Sequence, residues 1–402
     1  MSADTAVPVR GQQPRPAARD SRTRLLERAR AALRRAAPAL ALYTAARLTG
    51  MSVMAGWAWW TGRHPRGLLG HSWDGIWYAA IARNGYGLSV PSSHSPGVVF
   101  NDLAFFPLFP GLVRLVAALL PVGVVSAGLI VAWSAAGVAA WGIYAVGERL
   151  HGQRVGTLLV LLWGLLPHAI VQSMAYTETL MTAFAAWALF AAITGRPLWA
   201  GALALLAGLS RPNAIAVAAA VALTAVLAVC RDPRARADWR VWAGAALAPL
   251  GWCGYVTWAG WRFGGGPFGY FEVQRLWGSR FDFGADAWRF IRHLFVARDY
   301  MAYYMTVAVL AVALIALVLL ALDRPPTAVL VYALVLVVIA VGGSSYFASK
   351  PRFLLPAFPL LLPAAVAMAR ARPRTVVVTI GALAGLSFFY GTYLLTVARI
   401  PM

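Results

Sequence analysis

The sequence predicts an all-α fold: a polytopic membrane helical bundle with about 11 transmembrane helices. Three observations predict it. Sixty per cent of the 402 residues are apolar and only 12% are charged. Mean hydropathy is +0.68, too high for a soluble domain of this length. The basic residues, 34 Arg and the single Lys350, sit between long apolar runs. A formal charge of +21 placed this way is a topology signal, so the partner it implies is the lipid bilayer and not nucleic acid.

Residues 1–37 carry nine Arg among Pro, Ala and Gln. They lack the short basic region, brief apolar core and A-x-A site of a secretory signal, and read as a disordered basic cytoplasmic tail. A short basic helix over 25–35, lying on anionic lipid, is the alternative.

The spans follow in order at 38–61, 122–147, 155–172, 178–195, 198–210, 213–230, 241–261, 301–322, 326–342, 353–369 and 375–398. Each is judged against the roughly 20 apolar residues a crossing needs; 198–210 and 213–230 are short. Residues 105–121 hold Pro107, Pro110 and Arg114, which suit a re-entrant or interfacial helix better than a crossing. With that segment uncrossed, twenty Arg fall on the side of the N-terminus. The N-terminus is then inside and the C-terminus outside, in a multi-pass plasma-membrane domain over 38–402. Its first outer loop is 62–121, and its second large outer loop, 262–300, carries six Arg. Cys230 and Cys253 read as small apolar fillers with no disulfide or metal framework.

This topology gathers Asp74, Asp102, Glu178, Arg211, Lys350 and Arg352 on the outer side. The spans themselves hold almost no acid, whereas ion-coupled carriers keep acids near the midplane. Chemistry at the outer surface is therefore favoured over transport.

Trp73-Asp74-Gly75-Ile76-Trp77-Tyr78 places an acid in an aromatic-rich segment. Trp73, Trp77, Ala80 and Ile81 recur at helical spacing, so the segment predicts an interfacial amphipathic helix. Asp74 is then either a solvated loop acid or a catalytic base at headgroup depth. Ala104-Phe105-Phe106-Pro107-Leu108-Phe109-Pro110 is a helix entry or a rigid wall of the site. Tyr176-Thr177-Glu178 interrupts two apolar runs: Thr177 as a helix cap with Glu178 on the dipole, or a substrate contact. Ser210-Arg211-Pro212-Asn213 splits another run, by snorkelling or by binding a lipid phosphate. Lys350 and Arg352 are outer cations that oppose the charge bias, as a phosphate clamp would. His71 and His94 share the first loop without metal-ligand spacing.

These motifs resemble the PIG-V-like mannosyltransferases, integral-membrane enzymes of the GT-C class. The segments that carry the resemblance are Trp73-Asp74-Gly75 through Gly85-Tyr86, the Phe105–Pro110 motif, Ala175-Tyr-Thr-Glu-Thr179, Arg211-Pro-Asn213 and Arg352-Phe-Leu-Leu-Pro-Ala-Phe-Pro359, in the same order over roughly residues 40 to 398. The resemblance implies a GT-C bundle and a polyprenyl-phosphate sugar donor, usually mannose. It also implies that Asp74, the acid of the first outer loop, is the catalytic base. The compact chain and Arg-rich N-terminus depart from the eukaryotic pattern, which leaves the acceptor open between glycan and glycolipid.

The expected function is inverting glycosyl transfer. Asp74 takes the acceptor proton, and Lys350, Arg352 and Arg211 stabilise the leaving phosphate. Glu178, Tyr176, Asp102, Trp73 and Trp77 are candidate substrate contacts. The scheme requires no cofactor and no metal, although Asp74 and Asp102 could share one. A lipid or lipid-linked-sugar flippase, which needs no base, is the alternative, and a scaffold acting through the basic tail is a third.

Overall fold

The computed structural model describes residues 21–91, 99–398 and 400; residues 1–20 of the basic segment, and His94, lie outside them. The described chain is nearly all helix. The departure from all-α is one antiparallel hairpin in the first outer loop, pairing Ser89–Pro91 with Val99–Asn101. Val90, Val99 and Phe100 favour a pleated surface, and Pro91 is tolerated at a strand edge.

Two expectations change. Residues 21–37 do not form a separate disordered tail: one helix runs Ser21–Trp60, with Pro38 inside it. The Ala- and Arg-rich stretch has high helix propensity and runs on into residues 38–60 without a break. The expected number of spans also changes. Among the described residues four helices are long and apolar enough to cross: Val124–His151, Pro212–Arg231, Met301–Leu322 and Pro373–Ala398. A broken pair, Phe347–Leu354 and Phe358–Arg370, bent by 77°, makes a fifth if it is one span. The chain is thus a multi-pass membrane protein. Leu108–Leu119, Glu178–Ile193, Pro197–Gly208 and Thr327–Gly342 are shorter apolar helices. At about 1.5 Å per residue they reach only roughly 18–24 Å.

The bundle has two chemically different ends. Thr179 donates to the Ala132 carbonyl and Trp187 to that of Val138, so Glu178–Ile193 runs parallel to Val124–His151. At the far end of that pair Arg35 meets Glu148 at 3.1 Å, and Arg154 donates to the Ala371 carbonyl at 3.4 Å. Glu178 lies at the opposite end, about 24 Å away along the axis.

Small residues set the tightest contact. Pro197–Gly208 lies against Trp239–Phe263 so closely that a Cβ at Gly251 would sit 1.9 Å from the Leu205 carbonyl oxygen. That close packing is the membrane route to helix association, and it fixes the end from which Arg211 projects. The loop before Ala285–Leu294 docks on the end of Thr327–Gly342. Phe281 pairs with Gly343, Asp282 N–H donates to Gly342 O, and Ser345 N–H donates to Asp286 at 3.0 Å.

Candidate active site

Four charged side chains from four separate motifs meet at one end of the bundle. Asp74 opens the helix Asp74–Asn84. Arg352 Nη1 donates to Asp74 Oδ2 at 2.8 Å, and Arg352 Nε lies 3.2 Å from Glu178 Oε1. Glu178 Oε1 also pairs with Arg211 Nη1. Both contacts of Glu178 are ion pairs by distance, and neither of its oxygens has a donor in hydrogen-bond alignment. The Glu178, Arg352 and Arg211 side chains are 1%, 7% and 8% exposed, whereas that of Asp74 is 24% exposed. Asp74 is therefore the carboxylate that a molecule at the surface can reach.

The surrounding groups hold this quartet. The Tyr176 and Phe353 rings face the Arg352 guanidinium at 5.1 and 5.3 Å, and Phe353 also faces Arg211 at 5.6 Å. Burial against π faces adds to the Coulomb attraction. Tyr176 donates to the Ser72 carbonyl at 3.4 Å, tying the Glu178 segment to the Asp74 loop. Arg211 donates to Asn213 Oδ1 and to Thr177 Oγ1. Thr177, expected as a helix cap, makes no capping bond. Its hydroxyl stands instead between Arg211 and Tyr78 Oη, which is 3.3 Å away.

The backbone is strained on both approaches. Trp73, directly before Asp74, has φ 45°, and Ser345 and Tyr346, shortly before Arg352, have φ 60° and 44°. Non-glycine residues held there cost roughly 1–3 kcal/mol each and gather at functional sites. A Cβ at Gly75 would stand 3.2 Å from the Gly70 carbonyl oxygen, so the turn entering the Asp74 helix is closely packed.

The aromatic candidates form a wall. Trp77 stacks on Phe105 at 5.6 Å and meets Trp277 edge-on at 5.1 Å. Trp277, from the loop 262–300, carries no local signal that distinguishes it from the other 16 Trp. The buried face of the helix carries Tyr78, Ile81 and Ala82, with Trp73 and Trp77 only partly covered.

Two predicted site residues lie elsewhere. Lys350 is buried, and its ammonium donates to the Ala340 carbonyl at 2.9 Å and to that of Gly343. It ends the Thr327–Gly342 helix, and no clamp with Arg352 forms. Both residues lie on the short helix Lys350–Leu354, and positions two apart on a helix point about 200° away from each other. Asp102 is fully buried and accepts the Gly87 and Leu88 amides at 2.9 and 2.8 Å. Among the described residues it has no hydrogen bond or ion pair with Asp74. Among them, too, no three His, Cys, Asp or Glu side chains are grouped as metal ligands.

A shallow apolar groove includes Pro351, the residue between Lys350 and Arg352, and is walled by Leu166, Val312, Ala316, Leu354 and Leu361. His168 also lines it, buried, with neither ring nitrogen hydrogen-bonded.

No family model matches the sequence, and no curated protein matches it. Among solved structures the chain is similar to the oligosaccharyltransferase AglB of Archaeoglobus fulgidus bound to an inhibitory peptide and a dolichol-phosphate. That likeness has 11% identity and a TM-score of 0.46 over 89% of this chain and 56% of the other. The complex of the Archaeoglobus fulgidus oligosaccharyltransferase with Zn and sulfate gives 14% identity and a TM-score of 0.43, over 89% and 53%. The form tethered to an acceptor peptide gives 11% and 0.46, over 89% and 55%. The chain thus spans little more than half the length of these proteins.

Proposed function

We propose that the chain is an integral-membrane glycosyltransferase that moves a sugar from a polyprenyl-phosphate donor to the hydroxyl of a glycan or glycolipid. The observation that carries this reading is the contact of Asp74 with Arg352. A reachable carboxylate and a buried, permanently charged guanidinium stand 2.8 Å apart. Asp74 removes the acceptor proton as the oxygen attacks the anomeric carbon from the face opposite the phosphate, so the configuration inverts. The leaving phosphate is a weak base and needs no protonation. Arg352, with Arg211 behind it, supplies preplaced positive charge for it. The groove containing Pro351 offers an apolar surface to the polyprenyl chain. Mannose is the donor sugar implied by the family resemblance, and the site belongs on the extracytoplasmic face of the plasma membrane, opposite the Arg-rich end.

The test is sugar transfer by purified protein from radiolabelled polyprenyl-phosphate-mannose to a membrane lipid extract. Asp74→Asn keeps size and most hydrogen bonding but loses basicity. A positioned base contributes about 10²–10⁴-fold, so transfer per folded protein should drop at least about 100-fold with donor binding retained. Near-normal transfer would take the base role from Asp74, and no transfer by the wild type would favour a flippase, a reading to which the buried Glu178 with its two arginines also lends itself.

A further inference from the structure

Glu178 cannot contact a substrate: it is 1% exposed and its near neighbours are two arginines. Its position nevertheless determines what Arg352 can do. Arg352 turns one edge of its guanidinium, Nη1, to Asp74 and another, Nε, to Glu178. Asp74 is hydrogen-bonded to Arg352, while Glu178 is held by charge alone, with no aligned donor on either oxygen. The quartet of Asp74, Glu178, Arg211 and Arg352 is neutral overall.

Transfer disturbs that balance at one place. The acceptor O–H proton passes to an Asp74 oxygen, and the acceptor oxygen bonds to the anomeric carbon. The bond from that carbon to the phosphate oxygen breaks, and its electron pair stays on the phosphate. Asp74 goes from anion to neutral acid, and the donor goes from a phosphodiester with one negative charge to a phosphomonoester with two. One negative charge has moved from one neighbour of Arg352 to the other, while Glu178 stays anionic throughout.

We propose that Glu178 is a positioning residue that fixes Arg352 as a pivot, so that its positive charge follows the negative charge from Asp74 to the departing phosphate. This rests on the transferase reading above. An arginine held by Asp74 alone would lose its anchor at the moment the carboxylate is protonated. One held by directed bonds to Glu178 would resist turning. The buried ion pair with Glu178 retains Arg352 by Coulomb attraction when the Asp74 carboxylate is neutralised. Arg211 takes the remaining charge of Glu178, which limits how strongly Glu178 competes for Arg352.

The experiment compares wild type, Glu178→Gln, Glu178→Asp, Arg352→Gln and the Glu178→Gln/Arg352→Gln double variant in the transfer assay, each corrected for folded protein by detergent-solubilised monodispersity. Glu178→Gln should lower kcat on the order of 10- to 100-fold, the range for lost bonds to charged groups, with donor KM within about threefold. Glu178→Asp, which keeps the charge but withdraws it by one methylene, should recover part of kcat. In the Arg352→Gln background, Glu178→Gln should add less than about twofold, because it acts through Arg352. If Glu178→Gln does not fold, Glu178→Asp decides: reduced kcat with donor KM kept supports the pivot, and wild-type kcat overturns it. Effects of the two Gln substitutions that multiply independently, or a loss confined to donor KM, overturn it while leaving the transferase reading intact. A wild type that transfers no sugar overturns both, and an Asp74→Asn variant that transfers normally overturns the base assignment and the pivot built on it.

Discussion

Arg352 Nη1 reaches Asp74 at 2.8 Å across 278 residues of sequence. The contact joins the first outer loop to the broken helix pair near the other end of the chain, and it makes the geometry of the guanidinium as important as its charge. Lysine can supply the charge but not two divergent edges from one plane. Arg352→Lys should therefore lose at least about tenfold in kcat/KM for transfer, and Arg352→Gln about 10- to 100-fold. Equal activity of Arg352→Lys and wild type would show that a point charge suffices.

Lys350 should behave differently. Its bonds to the Ala340 and Gly343 carbonyls complete a helix end, so Lys350→Gln should cost stability and not catalysis. The expected loss is about 1.5–3 kcal/mol, read as a lower thermal midpoint in detergent, with transfer per folded protein within about threefold. A raised donor KM at unchanged stability would return Lys350 to the phosphate.

Asp102 is the matched control for Asp74. It sits in the same loop, but its carboxylate is fully buried and holds the Gly87 and Leu88 amides. Asp102→Asn, with one amide oxygen in place of a carboxylate, should lower stability by about 1–3 kcal/mol and leave the transfer rate of the folded fraction nearly intact. A 100-fold loss equal to that of Asp74→Asn would place both acids in the chemistry.

Docking of the second outer loop depends on pH through Asp286. The Ser345 amide holds the Asp286 carboxyl below its ordinary value of 3.8, with Arg289 adding to the effect. A group whose folded value is depressed stabilises above its unfolded value and loses that contribution as pH falls through the folded one. The thermal midpoint of Asp286→Asn should lie below that of wild type at pH 7, and the gap should close below about pH 4. A gap that persists unchanged at pH 3 would count against this contact.

Orientation follows from the two ends of the bundle. Cys230 and Cys253 are free and exposed, so both must be replaced before cysteine labelling. Arg280→Cys should then react with an impermeant reagent in intact cells, and Arg234→Cys should not. Labelling at position 234 would invert the topology.

The four charges of the site are legible in the sequence because each stands where an apolar run has nothing to pair with it. Lys350 carries the same signal for another reason: charge marks a residue as placed, while the angle around a helix decides what it is placed against. Thr177 and Trp277 were not legible, since a hydroxyl between Tyr78 and Arg211, or an indole against Trp77, exists only once distant segments meet. By length and composition four or five helices qualify as spans where the sequence suggests 11, because hydropathy along a sequence shows apolar runs and not where a helix ends. Glu178–Ile193 and Pro197–Gly208 are as greasy as spans but shorter. The hairpin at Ser89–Pro91 was hidden in a loop whose polar residues carry no alternating pattern.

The separation of Asp74 from Arg352 also bears on how the protein is made. Synthesis at about 5–20 residues per second leaves an interval on the order of tens of seconds between the two residues. Throughout it the first loop, the Glu178 segment and Arg211 already exist, but the guanidinium that joins the two acids does not. A ribosome-bound chain with most of its helices in the bilayer is thus still without the completed quartet. The arrangement ties competence to the insertion of the Arg352 helix pair, so a stalled or truncated chain holds an unfinished site.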